Sequence, residues 1–170
     1  YKGYAADITR TYAYQSGEFA DMIEALDAHQ LRLCEQAVVG ADYVELHVQA
    51  HRAVAQVLHD FKVFTCTPDA AVDSGLTQTF FPHGLGHYLG LQVHDVSGHV
   101  IDREGTVKPP PEAYPFLRLT DQLRENAVIT VEPGLYFIPM LMQEIAGHQD
   151  INWSQVERLV PYGGIRIEDN

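Results

Sequence analysis

The chain has 170 residues, 46% of them hydrophobic and 20% charged, with a formal net charge of −12. That length suffices for one domain with a real core, and the acidic balance argues against nucleic acid or an anionic membrane as a partner. Two unclustered cysteines, Cys34 and Cys66, make neither a disulfide framework nor a zinc ribbon, and no apolar run approaches the ~18 residues of a membrane span. Residues 1–170 hold no signal-peptide pattern, and the expectation is a cytoplasmic protein with reduced thiols.

Residues 1–14, rich in Tyr and Thr and imperfectly alternating, suit strands. Ser16-Gly17 opens a helix whose stripe is Phe19, Ile23, Leu26, Leu33, Ala37 and Val38, with Gly40 as a stop. Asp42, with Glu45 three residues on, reads as a capping pair for a second helix striped by Val44, His47, His51, Val54, Leu58 and Phe61. His47, His51 and His59 on this helix lack an acidic partner in a known pattern and read as surface or satisfied core residues. Residues 62–79 read as a connection with Pro68 and Gly75, and 102–115, with four prolines, as an irregular loop. AVITVEPGLYFIPM reads as two strands broken at Pro133-Gly134, residues 139–155 as loop, and GGIRIE (163–168) as a final strand. Two helices near the start and strands toward both ends predict an α+β domain, helices on one face of a curved antiparallel sheet.

Four polar residues sit oddly in apolar strands or at sharp turns: Asp7 in YAADITRT, His87 ending HGLGH, Glu132 in ITVEPG and Glu168 in IRIED. A carboxylate flanked by branched apolar residues costs several kcal/mol to bury unpaired, and a cation removes that cost. Carboxylates with one imidazole favour harder divalent ions such as manganese. Several carboxylates can also hold two ions ~3.5–4 Å apart, the arrangement of a hydrolase that activates water. The stretch FFPHGLGHYLGLQVHDVSG adds His83 and His94 to His87. Taken alone, these histidines are either satisfied core residues or converge on a metal or a substrate.

In order, GYAADITRTY, HGLGHYLGLQVHD, ITVEPGLYF and GGIRIEDN resemble the Xaa-Pro dipeptidases (prolidases), closest to the bacterial prolidases that include the organophosphorus acid anhydrolases. These are pita-bread dinuclear metallopeptidases, of the creatinase/aminopeptidase-like fold, and the resemblance runs along essentially the whole chain. It implies two divalent metal ions, manganese by preference, held by Asp7, His87, Glu132 and Glu168, with Asp7 and Glu168 bridging. Glu132 is then also the catalytic proton shuttle, and His94 a catalytic and substrate-binding residue near the scissile carbonyl. Arg118, fourteen residues before Glu132, would hold the substrate's C-terminal carboxylate. Arg166 would orient the site, and His83 would support it by hydrogen bonding or meet the substrate. His99 and His148 read as surface residues.

The implied substrate is a dipeptide with C-terminal proline, organophosphate hydrolysis is an implied side activity, and the parent protein is a homodimer by the same likeness. Both chain ends read as strand, and the family's first aspartate ligand would fall ahead of Tyr1. Residues 1–170 are therefore expected to be a metallopeptidase catalytic domain truncated on its N-terminal side. The separate N-terminal domain would be absent, and one of the two metals would be bound weakly. Two alternatives stay open: an Xaa-Pro aminopeptidase of the same superfamily, and a non-catalytic binding module on the same fold.

Overall fold

The computed structural model describes residues 2–170. Helix α1 (Glu18–Gln36) buries Met22, Leu26, Gln30 and Leu33, a stripe set by the helical repeat, while Glu18 and Asp21 complement the positive end of its dipole. Val38, expected on this stripe, is exposed beyond the helix end. Gly40 takes a left-handed turn (φ 88°) that a side chain would resist, and its N–H donates to the Leu123 carbonyl.

Helix α2 (Tyr43–Asp60) is capped by Asp42, whose carboxylate accepts from the Val44 and Glu45 N–H groups. It is buried on most sides, from Tyr43 and Leu46 through Val54 and Leu58, because α1 covers one flank and the short helices α3 (Pro68–Asp73) and α4 (Thr77–Phe80) cover another. Helices α5 (Pro139–Glu144) and α6 (Trp153–Leu159) follow later in the chain, and a short 3₁₀ turn spans Val160–Tyr162. The expectation of loop over 62–79 and 139–155 is thus corrected. Thr67 and Asn152 each accept a helix N-terminal N–H, and Pro68 and Pro139 each sit in a first turn, where the missing proline N–H costs nothing.

The sheet is small. Strands β1 (Gly134–Tyr136) and β2 (Gly164–Arg166) pair antiparallel, Leu135 opposite Ile165. Single antiparallel bridges extend this pair on both sides: Val131 with Asp169, Thr9 with Glu168, and Tyr88 with Ile129. The segments therefore lie side by side around residues 9, 168, 131 and 88, which brings both chain ends and two central stretches together. The strands expected over 1–14 reduce to the Thr9 bridge. Beyond it, Thr11 satisfies both backbone groups of Arg166 with its hydroxyl, a side chain standing in for a ladder partner. One apolar core, including Leu26, Tyr43, Leu58, Phe80, Leu135 and Ile167, packs the helices against this layer. Among the described residues, no helix is long and apolar enough to cross a membrane.

Candidate metal centre

The side-by-side segments deliver Asp7, His87, Glu132 and Glu168 to one place. His87 Nε2 lies 3.7 Å from an Asp7 oxygen and 3.4 Å from Glu132 Oε1. One atom each from His87, Glu132 and Glu168 falls within 4.8 Å of the others, and the same holds for Asp7, His87 and His94. His87 and Glu168 are almost wholly buried, Glu132 nearly so.

Hydrogen bonds set the chemical state of these groups. His87 Nδ1 lies 2.8 Å from the Tyr88 carbonyl. A carbonyl only accepts, so Nδ1 is a donor, and in the neutral ring Nε2 then presents a bare lone pair. That lone pair is buried, unpartnered among the described residues and faced by two carboxylates; Glu168 Oε1 is likewise buried and unpartnered. A lone pair opposite negative oxygens is repulsive until a proton or a metal cation sits between them. This orphaned pair of atoms, and a donor set of carboxylates with imidazole, fit a divalent metal.

Two threonines hold the carboxylates. Thr9 Oγ1 donates to Glu168 Oε2 at 2.7 Å. Thr130 Oγ1 donates to Glu132 Oε1 at 3.3 Å and accepts from the His87 backbone N–H at 3.1 Å. Sequence reasoning passed over both, although Thr9 follows Asp7 by two and Thr130 precedes Glu132 by two, the spacing that shares a face in extended chain. Gly86 explains one glycine of the HGLGH stretch: a Cβ there would overlap the Thr130 carbonyl and the Tyr43 hydroxyl, which are themselves bonded at 2.6 Å.

Glu132 is pushed up to about 7, by burial first and the Glu168 charge second, against the opposing pull of Arg166. Arg166 reaches Glu132 Oε2 at 3.2 Å, and its Nε donates to the Tyr136 hydroxyl at 3.0 Å. Tyr136, also missed in the sequence, passes this on to His83 Nε2 at 2.9 Å, and His83 Nδ1 meets the Gly84 carbonyl at 2.8 Å. The ring nitrogens of His83 are thus engaged outside the carboxylate cluster. The His94 ring packs edge-on against His87, centroids 4.3 Å apart. Burial, then His87 and Arg118, hold it below the usual histidine value.

Arg118 lies away from the carboxylates but lines the same cavity of about 560 Å³ as His83, His87, His94, Glu132 and Arg166. His99, expected at the surface, is half-buried in that cavity wall with Nε2 2.9 Å from the Leu117 carbonyl. His148 is half-buried as well, its Nδ1 accepting from the Asp150 N–H.

Fold and donor set together define an α+β domain with a candidate metal site. Residues 1–170 match metallopeptidase family M24. The chain is 50% identical to the Xaa-Pro dipeptidase of Shewanella denitrificans over all of its own length and 39% of that protein. It is also 50% identical to that of Xanthomonas campestris, over 98% of its length and again 39% of the relative. Among solved structures, Escherichia coli aminopeptidase P aligns at TM-score 0.64 and 28% identity, over 99% of this chain and 32% of that one. Proline aminopeptidase P II from Yersinia pestis aligns at TM-score 0.62 and 27% identity, over 99% and 33%.

The chain belongs to metallopeptidase family M24, and its fold is the pita-bread fold of those aminopeptidases. Family membership implies a divalent metal. The chain spans about two fifths of the length of the dipeptidases it matches.

Proposed function

We propose that this chain is the metal-bearing part of an Xaa-Pro dipeptidase, with Asp7, His87, Glu132 and Glu168 as metal ligands. The observation that carries the reading is the buried, bare Nε2 of His87 facing the oxygens of Asp7 and Glu132. The identity of about half its residues with Xaa-Pro dipeptidases along its whole length supports the substrate class. The oxygen-rich donor set favours hard divalent ions, manganese among them. A metal pair held there would supply Lewis acidity and a water ionised near neutral pH.

The chain's own residues do the rest. Arg118, on the wall of the cavity, takes the substrate's C-terminal carboxylate in a charge-assisted grip. His94 donates a hydrogen bond to the scissile carbonyl oxygen as negative charge develops on it. Glu132 accepts the proton of the attacking water and delivers it to the departing proline nitrogen, which cannot leave unprotonated. Arg166 and Thr130 keep the two Glu132 oxygens aimed for this transfer. Glu168, held by the Thr9 hydroxyl, serves only as a ligand.

The test is manganese titration calorimetry with Leu-Pro and Ala-Pro hydrolysis, on this chain and on an N-terminally extended form. The extended form should hydrolyse both dipeptides, with His87→Ala abolishing metal binding and Glu132→Gln abolishing turnover. Failure of the metal-loaded extended form to hydrolyse any Xaa-Pro dipeptide refutes the reading.

A further inference from the structure

The bridge that joins the two chain ends has two faces, because successive side chains of extended chain point to opposite sides. On one face Thr9 meets Glu168 within the carboxylate cluster. On the other their chain neighbours meet: Arg10 Nη2 donates to Asp169 Oδ1 at 2.5 Å. The mechanism uses the first pair and gives the second no task.

Arg10 does more than pair charges. Its Nη1 donates to the Thr9 carbonyl at 2.9 Å and to the Glu168 carbonyl at 2.7 Å. One planar guanidinium thus holds both backbones of the bridge together with the acid that follows Glu168. From α1 the fully buried Gln30 holds the same acid: its Nε2 donates to Asp169 Oδ2 at 3.0 Å and to the Val131 carbonyl at 3.2 Å. Val131 is bridged to Asp169 and directly precedes Glu132. Gln30 Oε1 has no partner among the described residues. Turning the amide over would set that oxygen against a carbonyl and a carboxylate, which only accept, so its orientation is fixed. A fully buried helix position chosen for stability alone is apolar, as at Met22, Leu26 and Leu33 on the same stripe. A glutamine there leaves a carbonyl unpaired, and its donors reach Cys34 Sγ and the backbone and acid behind the cluster.

We propose that Arg10, Asp169 and Gln30 form a clamp on the far face of the bridges that fixes how Glu168 and Glu132 stand relative to Asp7, and so sets the affinity of the centre for its divalent metal. They are positioning residues, acting through the backbone that carries the ligands. Asp7 belongs to the same unit, through Thr9 two residues on and through Asn170, whose Nδ2 donates to the Asp7 carbonyl at 2.6 Å. The proposal rests on the ligand set given above. Removing a group that holds a ligand without touching the metal typically weakens metal binding ~10–100-fold.

The experiment uses the N-terminally extended protein with Arg10→Lys, Asp169→Asn, the two together, and Gln30→Leu. The readouts are manganese titration calorimetry, the electron paramagnetic resonance spectrum of the bound manganese, and the melting temperature of the metal-free form. Arg10→Lys keeps the charge and loses the fork, while Asp169→Asn keeps the shape and loses the charge. Gln30→Leu removes the unpaired carbonyl with its donors, and the Val131 carbonyl keeps its bond from the Asp169 N–H. Each single variant should bind manganese at least about tenfold more weakly and with an altered spectrum. The double variant should bind no more weakly than the weaker single, since both changes break one clamp. Gln30→Leu should melt no lower than the unsubstituted protein without metal, which separates positioning from packing. With Leu-Pro, the manganese concentration for half-maximal activity should rise by about the same factor as the affinity falls, and KM at saturating metal should stay unchanged. Unchanged manganese affinity in Arg10→Lys and Gln30→Leu, or weakening confined to variants whose metal-free form also melts lower, overturns the clamp and leaves the dipeptidase reading standing. Manganese affinities in the expected order with no Leu-Pro hydrolysis keep the clamp and refute the peptidase. No manganese binding by the unsubstituted protein refutes both.

Discussion

Acid should loosen this fold through two buried histidines. Burial, with help from neighbouring imidazoles, lowers His47 to about 2 and His51 to about 4. Histidine in an unfolded chain titrates near 6.5, so below that pH the unfolded state binds protons that the folded state refuses. The folded value is the depressed one in both cases. The stability these residues contribute is therefore complete above about pH 6.5 and is lost as pH falls toward 4 for His51 and toward 2 for His47. Each is worth about 1.4 kcal/mol per pH unit in that window, or close to 2 kcal/mol between pH 7 and pH 5.

Against a total stability of about 5–15 kcal/mol, two such residues move the urea midpoint visibly. The assay is urea unfolding at pH 7, 6 and 5 on the wild type and on His47→Phe. The variant cannot titrate at position 47, so its loss between pH 7 and 5 should be smaller by about 2 kcal/mol, whatever its stability at pH 7. Carboxylate titration is common to both proteins and cancels. Identical pH dependence in the two would refute the claim that His47 is buried neutral.

Two further outcomes are expected. Gly86→Ala should cost about 3 kcal/mol or more, read as a fall in melting temperature, because its methyl has to displace the Thr130 carbonyl that accepts from the Tyr43 hydroxyl, at a residue whose N–H and hydroxyl also pair with His87. Arg118→Lys should raise KM for Xaa-Pro dipeptides about tenfold while manganese affinity by calorimetry stays unchanged, since an ammonium cannot reproduce the planar two-point grip on a carboxylate.

How far the sequence could be read depended on how local each signal was. Asp42 announced its helix because a capping carboxylate acts on N–H groups two and three residues away. The same logic was available at Thr67-Pro68 and Asn152, but helices of six and seven residues carry too little periodicity to stand out from a loop. The residues of the centre stood out because a carboxylate in an apolar strand is chemically anomalous wherever it lies. Their convergence was legible only through the family resemblance, because it depends on bridges such as Thr9 to Glu168 that no local pattern encodes. Tyr136 was hidden for a similar reason: a tyrosine in GLYF reads as ordinary strand, and only the fold reveals that its hydroxyl links Arg166 to His83. His47 lay between the two categories, on the apolar stripe as expected yet with one nitrogen unsatisfied.

The Thr9–Glu168 contact joins positions 159 apart. Closing so long a loop has to await most of the chain, and topologies built on such pairings fold slowly. While residues 164–169 are still unsynthesised or unplaced, the acidic donors are scattered over a flexible polymer and offer only weak, one-point attachment to ions. With the ligand set proposed above, tight cation capture would begin once these segments have met, and the ion would then act as a latch that slows their separation.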